Sequence, residues 1–440
     1  RSFKRELATL GPESKITLGN RSITAIELLT GFLARLRRDL AERSNLRRKR
    51  QDSIEVMISV PANANSNQRF ITLEAFRRAG FQVRGMINEP SAAGIEYAHH
   101  YLTAGASPRR EYVVVYDLGG GTFDASVISM AERRHEVVSS EGIARLGGDD
   151  FDGILLEMAL RQADVTHLSD EARYLLLEEC REKKEGLHAN TRKIAIDLGR
   201  ALEGAGEVVI HTGEFYERCR PLVERTIEAM ERSMWGSHDT GDLDWRSVAA
   251  IYLVGGSSDL PVVARTLRER YGRQVRKSPY PHASTAIGLA IAADSAAGYR
   301  LREQFTRHFG VWREAEAGKS VTFDMLFEKG TPLPENGQNL IRTRRYHPAH
   351  NIGHFRYLEC SRIDERGQPT GDITPWDEVY FPFDSALENE SRLERIPITR
   401  AHSGGQLIEE IYSCNEHGII EVSIVNHDTQ NRRSYRLRGA

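Results

Sequence analysis

Between Asp117 and Asp124 the chain reads DLGGGTFD, an acid, three glycines (Gly119, Gly120, Gly121), Thr122 and a second acid. Glycine lacks a Cβ atom, so successive N–H groups can approach an anion from conformations closed to other residues, and such a run suits a phosphate-gripping turn. Asp117 and Asp124 flank that turn. Two carboxylates beside a phosphate would repel it unless a divalent cation lies between them, so the pattern asks for a nucleotide with Mg²⁺.

The turn needs a rigid frame. Val113, Val114, Val115 and Tyr116 are β-branched or aromatic and too few for a helix, which predicts a core strand, and the alternation after Thr122 predicts its hairpin partner. VAAIYLVGG (Val248 to Gly256) predicts a second buried strand that ends in a glycine pair, and Pro261 suits the first turn of the helix after it. Gly147 and Gly148 open a long helix. Upstream, a helix from Ser22, capped by Ser22 or Thr24, precedes a strand from Ser53 to Val60 and a helix near Arg69 to Ala79. A short strand then closes on Glu89 and Pro90, and Ser91, Ala92 and Ala93 start a closely packed helix. Strands and helices alternate to Asp294, the mark of an α/β domain.

Past about Gly298 the helical periodicity fades and short strands separated by turn residues take over. Val321, Phe323, Met325 and Phe327 alternate with mostly polar neighbours, which predicts a half-buried strand with those four facing inward. LIEEIYSC and IIEVSIV flank a four-residue hairpin loop, Asn415 to Gly418. The last third is expected to be a separate all-β module.

At 440 residues the chain needs two or three domains, and its formal net charge of −2 argues against nucleic acid or an anionic membrane as main partner. The arginine runs around Arg35, Arg37 and Arg38 and from Arg47 to Arg50 fit a solvated face. Cys180, Cys219, Cys360 and Cys414 show no metal-ligand or redox spacing, so a reduced, cytoplasmic protein is expected. No apolar run approaches the ~18 residues that span a bilayer.

Four fragments stand in order: MINEPSAAG, VVVYDLGGGTFDAS, RLGGDDFD and IYLVGGSSDLP. Together they resemble the seventy-kilodalton heat-shock chaperone family, and SVPANANSNQR and IYSCNEHGIIEVSIVNHDTQNRRSYRL extend the likeness over nearly the whole chain. The resemblance implies an α/β actin-like (ribonuclease H-like) ATPase domain of two lobes at residues 1–298, a linker at 299–310, and an all-β sandwich at 311–440 that binds extended apolar peptides. By the same resemblance, Gly119, Gly120, Gly121 and Thr122 meet the β- and γ-phosphates, and Asp117 and Asp124 act through Mg²⁺ and a companion K⁺. Glu89 orients the attacking water and Lys4 reaches the γ-phosphate. Gly147, Gly148, Gly255, Gly256 and Ser257 close on ribose and adenosine, Lys184 contacts the nucleoside, and Pro61 and Arg69 match the relay between nucleotide and peptide domains.

Several positions depart from the family pattern. Arg181 stands where a nucleoside-binding glutamate is usual, His188 where a serine is, and Asp259 where an arginine packs on adenine; His282 and Ala283 replace acids, and Leu73 replaces a relay lysine. Three of these remove nucleoside contacts, so weakened nucleotide affinity is expected. The family opens with an Asp-Leu-Gly-Thr-Thr hairpin, and no such segment precedes Lys4, which suggests a fragment with half its phosphate cradle missing. LREQFTRHFGV takes the place of a short acidic, leucine-rich linker, and a β module without the family's helical lid is expected.

The leading expectation is an ATP-dependent chaperone, active in protein folding and stress response, whose hydrolysis of ATP to ADP switches its affinity for unfolded polypeptides. Co-chaperones and a nucleotide exchange factor would be its partners. The alternative is a nucleotide-binding or nucleotide-free scaffold of the same fold that does not hydrolyse. A sugar kinase or filament-forming actin relative is a third reading, and the β module argues against it.

Overall fold

The computed structural model describes residues 10–11, 14–18, 21–46, 53–101, 111–130, 134–143, 145–235, 244–316, 319–335, 337–400 and 406–436. By compactness the chain divides into two units, Arg1–Glu6 with Asn88–Leu301, and Leu7–Ile87 with Arg302–Ala440.

The second unit begins with a short hairpin, β1 (Lys15–Leu18) and β2 (Arg21–Thr24), and helix α1 (Ala25–Arg43). Thr24 is the cap: its Oγ1 accepts from the Glu27 N–H at 3.2 Å and the Glu27 carboxylate accepts from the Thr24 N–H at 2.8 Å. Both donors are otherwise orphaned at a helix start, so the reciprocal pair fixes where α1 begins. β3 (Ile54–Val60) pairs with β4 (Phe81–Asn88) around helix α2 (Ser66–Arg78). A capping box on Asn65 and Gln68 starts α2 three residues before the expected Arg69.

The first unit is built on a six-stranded sheet. Its core is the hairpin β5 (Tyr112–Leu118) and β6 (Phe123–Ser129), followed in sequence by β7 (Arg134–Ile143). The remaining elements, in chain order, are α3 (Glu89–Tyr101) before the hairpin, then α4 (Gly148–Gln162), α5 (Asp170–Glu185), the ribbon β8 (Lys193–Asp197) and β9 (Glu207–His211), α6 (Thr212–Trp235), β10 (Val248–Val254), α7 (Pro261–Tyr271), β11 (Val275–Lys277), α8 (Ser284–Ala293) and β12 (Arg300–Arg302). The strand order is β11-β10-β5-β6-β7-β12. β10 runs parallel to β5 and β11, whereas β5, β6 and β7 are antiparallel.

Alternation along β5 explains its unbroken apolar run. Val114, Tyr116 and Leu118 enter a core with residues of α4, α5 and α6, while Val113 and Val115 face the opposite side with Ala93 and Tyr97 of α3. A strand buried on both faces needs apolar residues at every position. α3 and α8 are in backbone contact, because a Cβ on Gly288 would overlap the Ala92 carbonyl. Only glycine permits that approach.

The 302–440 part of the second unit contains two four-stranded antiparallel sheets. One has the order β14-β13-β16-β17, from β13 (His308–Ala315), β14 (Ser320–Phe327), β16 (Ile352–Ile363) and β17 (Pro369–Pro382). The other has the order β15-β18-β19-β20, from β15 (Asn339–Tyr346), β18 (Ile408–Asn415), β19 (Ile420–Asn426) and β20 (Arg432–Arg436). Both contribute to a single apolar core that includes Phe309, Tyr357, Phe381, Tyr412 and Val422. Asn415 builds the expected hairpin loop, its Oδ1 accepting from the N–H groups of His417 and Ile419, with Gly418 at φ +74.

In β14 the inward face differs from the sequence expectation. Val321 and Met325 are 52% and 37% exposed, whereas Asp324 is half-buried and Leu326 buried. Two arginines hold Asp324 inside: Arg313 Nε lies 2.6 Å from its Oδ2 and Arg344 Nη2 lies 2.7 Å from its Oδ1. A register shift between Phe309 and Gly310 then lets Leu326 and Phe327 both bury.

Candidate functional site

The glycine turn is tightly closed. Asp117 and Asp124 are directly opposed across the β5–β6 pair, and the Gly119 N–H donates to the Thr122 carbonyl at 3.0 Å. The start of α4 is bonded to this turn: the Gly148 N–H donates to the Gly119 carbonyl at 3.0 Å and the Asp149 N–H to the Gly120 carbonyl at 2.8 Å. A Cβ on Gly147 would lie 2.7 Å from the Gly121 nitrogen and 2.8 Å from the Gly119 oxygen. Glycine is therefore required there by close approach, not by backbone angle.

The end of β10 meets the same place. Gly255 has φ +82, and a Cβ on it would overlap the Asp117 carboxylate and the Leu118 carbonyl. Its N–H donates to the Pro281 carbonyl at 2.9 Å. Together these backbone segments frame a cleft of 540 Å³ whose lining includes Gly120, Gly148, Lys184, Gly256 and Ser257. Five residues expected at the site are thus gathered on one surface. Gly119, Gly121, Gly147 and Gly255 stand behind that lining as its close-packed support.

Charge in the cleft is organised in pairs. Lys184, on α5, is 7% exposed at its side chain; its Nζ lies 2.7 Å from Asp152 Oδ1 and donates to the Gly148 carbonyl at 2.7 Å. Arg181 also lines the cleft, one turn earlier on α5, and its Nε lies 3.0 Å from Glu185 Oε1. That hydrogen bond, with the charge of Glu185, holds the guanidinium pKa above its ordinary value. Asp259 lines the opposite part and forms an ion pair with Lys277. His282 and Asp149 also line the cleft.

Asp152 was not anticipated. Its position four residues after Gly148 puts it on the same face of α4 as the glycine, which is the signal available in the sequence. Glu89 is the first residue of α3, half-buried, and Thr122, also half-buried, immediately precedes β6; neither lines the cleft. Lys4 lies outside the described residues. Among the described residues no group of three or more His, Cys, Asp or Glu side chains is arranged to hold a metal. Mg²⁺ in a nucleotide site takes one or two carboxylates and completes its shell with water and phosphate oxygens, and the opposed Asp117 and Asp124 have the donor chemistry that such a site asks for.

Pro61 and Arg69 belong to the other unit. The Ala64 N–H donates to the Pro61 carbonyl at 3.0 Å, and Arg69, 5% exposed, donates from Nη1 to the His417 carbonyl at 3.5 Å. Ser66 donates its N–H to Glu359 Oε2 at 3.1 Å and its hydroxyl to Glu359 Oε1. Burial pushes the pKa of the Glu359 carboxyl up, against the opposing pull of Arg307 and Ser66.

Comparison with known proteins decides the family. Residues 11–305, more than half of the chain, match the model of the Hsp70 protein family. The chain belongs to the Hsp70 family. It is 34% identical over 283 residues to the chaperone protein HscA homolog of Polynucleobacter asymbioticus, covering 63% of this chain and 42% of that protein. It is 36% identical over 252 residues to the chaperone protein HscA of Shigella boydii serotype 18, covering 55% and 37%. The chain spans about two fifths of the length of these curated Hsp70 relatives. Membership carries the actin-like ATPase fold with it. Among the described residues no helix is long and apolar enough to cross a membrane.

Proposed function

We propose that this protein is an ATP-dependent chaperone in which hydrolysis in the cleft of residues 1–298 changes the affinity of a β-sandwich, residues 311–440, for extended apolar segments of unfolded polypeptides. The two-lobed layout and the linker at 299–310 belong to the same reading. The observation that carries it is the convergence of the Gly119–Gly121 turn, the Gly147–Gly148 helix start and the Gly255–Ser257 strand end on one 540 Å³ cleft. A helix N-terminus with glycine amides around it favours an anion, and the cleft beyond it is large enough for a nucleoside.

Hydrolysis breaks the bond between the γ-phosphorus and its bridging oxygen while a water oxygen bonds to that phosphorus, giving ADP and inorganic phosphate. Positioning and charge stabilisation are the protein's tasks in such a step. By the family resemblance, Glu89 and Thr122, which lie outside the lining of the cleft, would orient the water and contact the γ-phosphoryl oxygens, and Lys4 would offset their charge. Asp117 and Asp124 would hold Mg²⁺ through its waters, with K⁺ as companion, and the cation would supply neutralisation of phosphate charge. Gly256 and Ser257 border the nucleoside, with Lys184 anchoring the loop they face. A phosphate-release assay tests this reading: ATP turnover above background that falls at least tenfold in Thr122→Ala supports it, and equal rates in both refute it.

A nucleotide-binding scaffold that does not hydrolyse is favoured by one specific observation, that Arg181, Lys184 and Asp259 are each already paired with another side chain. Saturable ATP binding without phosphate release would select it. Cytoplasmic residence and the co-chaperones are proposals on the same footing.

A further inference from the structure

The pleat of β15 places Leu340, Arg342, Arg344 and Tyr346 on one side, and Leu340 and Tyr346 touch the apolar core. Two arginines on this side are neutralised by two acids. Arg344 and Arg313 share Asp324, and Arg313 also grips Glu410 through both terminal nitrogens, at 3.1 and 2.7 Å. Glu410 is fully buried and takes a further bond from Tyr346 Oη at 2.5 Å.

Arg342 is the surplus cation. It is exposed, and no carboxylate pairs with it among the described residues; its guanidinium donates to the carbonyl of its neighbour Ile341 at 3.2 Å. Among the described residues β15 is also an edge strand, with β18 on one side only, and Ile341 on its other face is 53% exposed. At this edge the Ile341 and Thr343 carbonyls are held by the Arg342 and Arg344 side chains, at 3.2 and 3.1 Å, and an extended chain added there would displace those contacts for main-chain bonds while alternate side chains read the strand's own.

We propose that the free edge of β15 around Ile341 and Arg342 receives an extended polypeptide segment carrying a carboxylate beside apolar residues, with the carboxylate taken by Arg342. The charge balance selects that occupant: the acids of this face are spent on Arg313 and Arg344, so a basic side chain finds no acceptor, and an acidic one meets the Arg342 guanidinium, whose bond is to a backbone carbonyl and not to a carboxylate. This inference rests on the reading that residues 311–440 bind extended polypeptide and names the class of segment.

Fluorescence anisotropy with a short leucine-rich peptide, labelled and carrying Glu, Gln or Lys at its centre, tests it on the whole chain. The Glu peptide is expected to bind about tenfold tighter than the Gln peptide, as a charge-assisted bond implies. The preference is expected to vanish in Arg342→Gln and to turn toward the Lys peptide in Arg342→Glu, with circular dichroism unchanged because Arg342 is exposed and makes no ion pair. Equal binding of the Glu and Gln peptides overturns the proposal and leaves an arginine that only guards an open edge. A preference that survives Arg342→Gln overturns it too. Failure of every peptide to bind refutes polypeptide binding by this module and the inference with it.

Discussion

Lys184 Nζ lies 2.7 Å from Asp152 Oδ1, with the two side chains 7% and 1% exposed. A charge pair sealed to this degree gains little net stability as a pair, yet losing one partner strands the other in a medium that cannot solvate it. Lys184→Met is therefore expected to destabilise the unit by about 3–5 kcal/mol, and Lys184→Met with Asp152→Leu to recover a large part of that loss. Urea unfolding of both variants checks the ordering.

Gly147 and Gly148 respond differently to the same methyl group. On Gly147 it meets backbone atoms of Gly119, Gly120 and Gly121 at 2.7–2.8 Å, which cannot yield without reshaping the turn. On Gly148 its nearest neighbours are the Ser257 hydroxyl at 2.5 Å, which can rotate, and the tethered Lys184 Nζ at 3.1 Å, which need give only slightly. Gly147→Ala is expected to lose both stability and ATP binding, and Gly148→Ala to weaken ATP binding by less. Melting curves with and without Mg·ATP separate the two.

Acid stability should depend on His135. It is 2% exposed, and burial pushes its imidazole down to about 4. Between the unfolded value near ~6.5 and that folded value, the unfolded chain binds the extra proton, so stability is fully present above ~6.5 and is lost as pH falls through the window. His135→Phe should flatten the fall in melting temperature of the 88–301 unit across that window.

Ser66 and Glu359 tie the start of α2 to β16 within one unit. Glu359→Ala removes both acceptors and leaves Arg307 without one of its two acids. Amide exchange at residues 64–69 is expected to accelerate at least tenfold in that variant, and Glu359→Gln to accelerate it less, because the amide still accepts one of the two bonds.

Much of the site was legible because glycine is informative where nothing else fits. The runs at 119–121, 147–148 and 255–256 stand at three separate points in the chain, and each marks a backbone approach that a Cβ would block or a glycine that lines the cleft. For Asp152 the sequence offers only its spacing from Gly148, which places it on that face of α4; an acid in a helix usually faces water, and the fold alone brings Lys184 against it. β14 misled for a related reason. Its apolar alternation is real, but Asp324 is drawn inward by arginines from β13 and β15, 11 and 20 residues away in the chain, and no local pattern records that.

Gly256 offers the cleanest test of the central proposal, ATP binding in the glycine-lined cleft. It lines the cleft, and a Cβ built on it meets no atom within 4 Å, so a larger side chain enters the cleft without disturbing the protein. Isothermal titration calorimetry with Mg·ATP should give one saturable site in the wild-type protein and at least tenfold weaker binding in Gly256→Leu, at an unchanged melting temperature. No binding by the wild type, or equal affinity in the two, would contradict it.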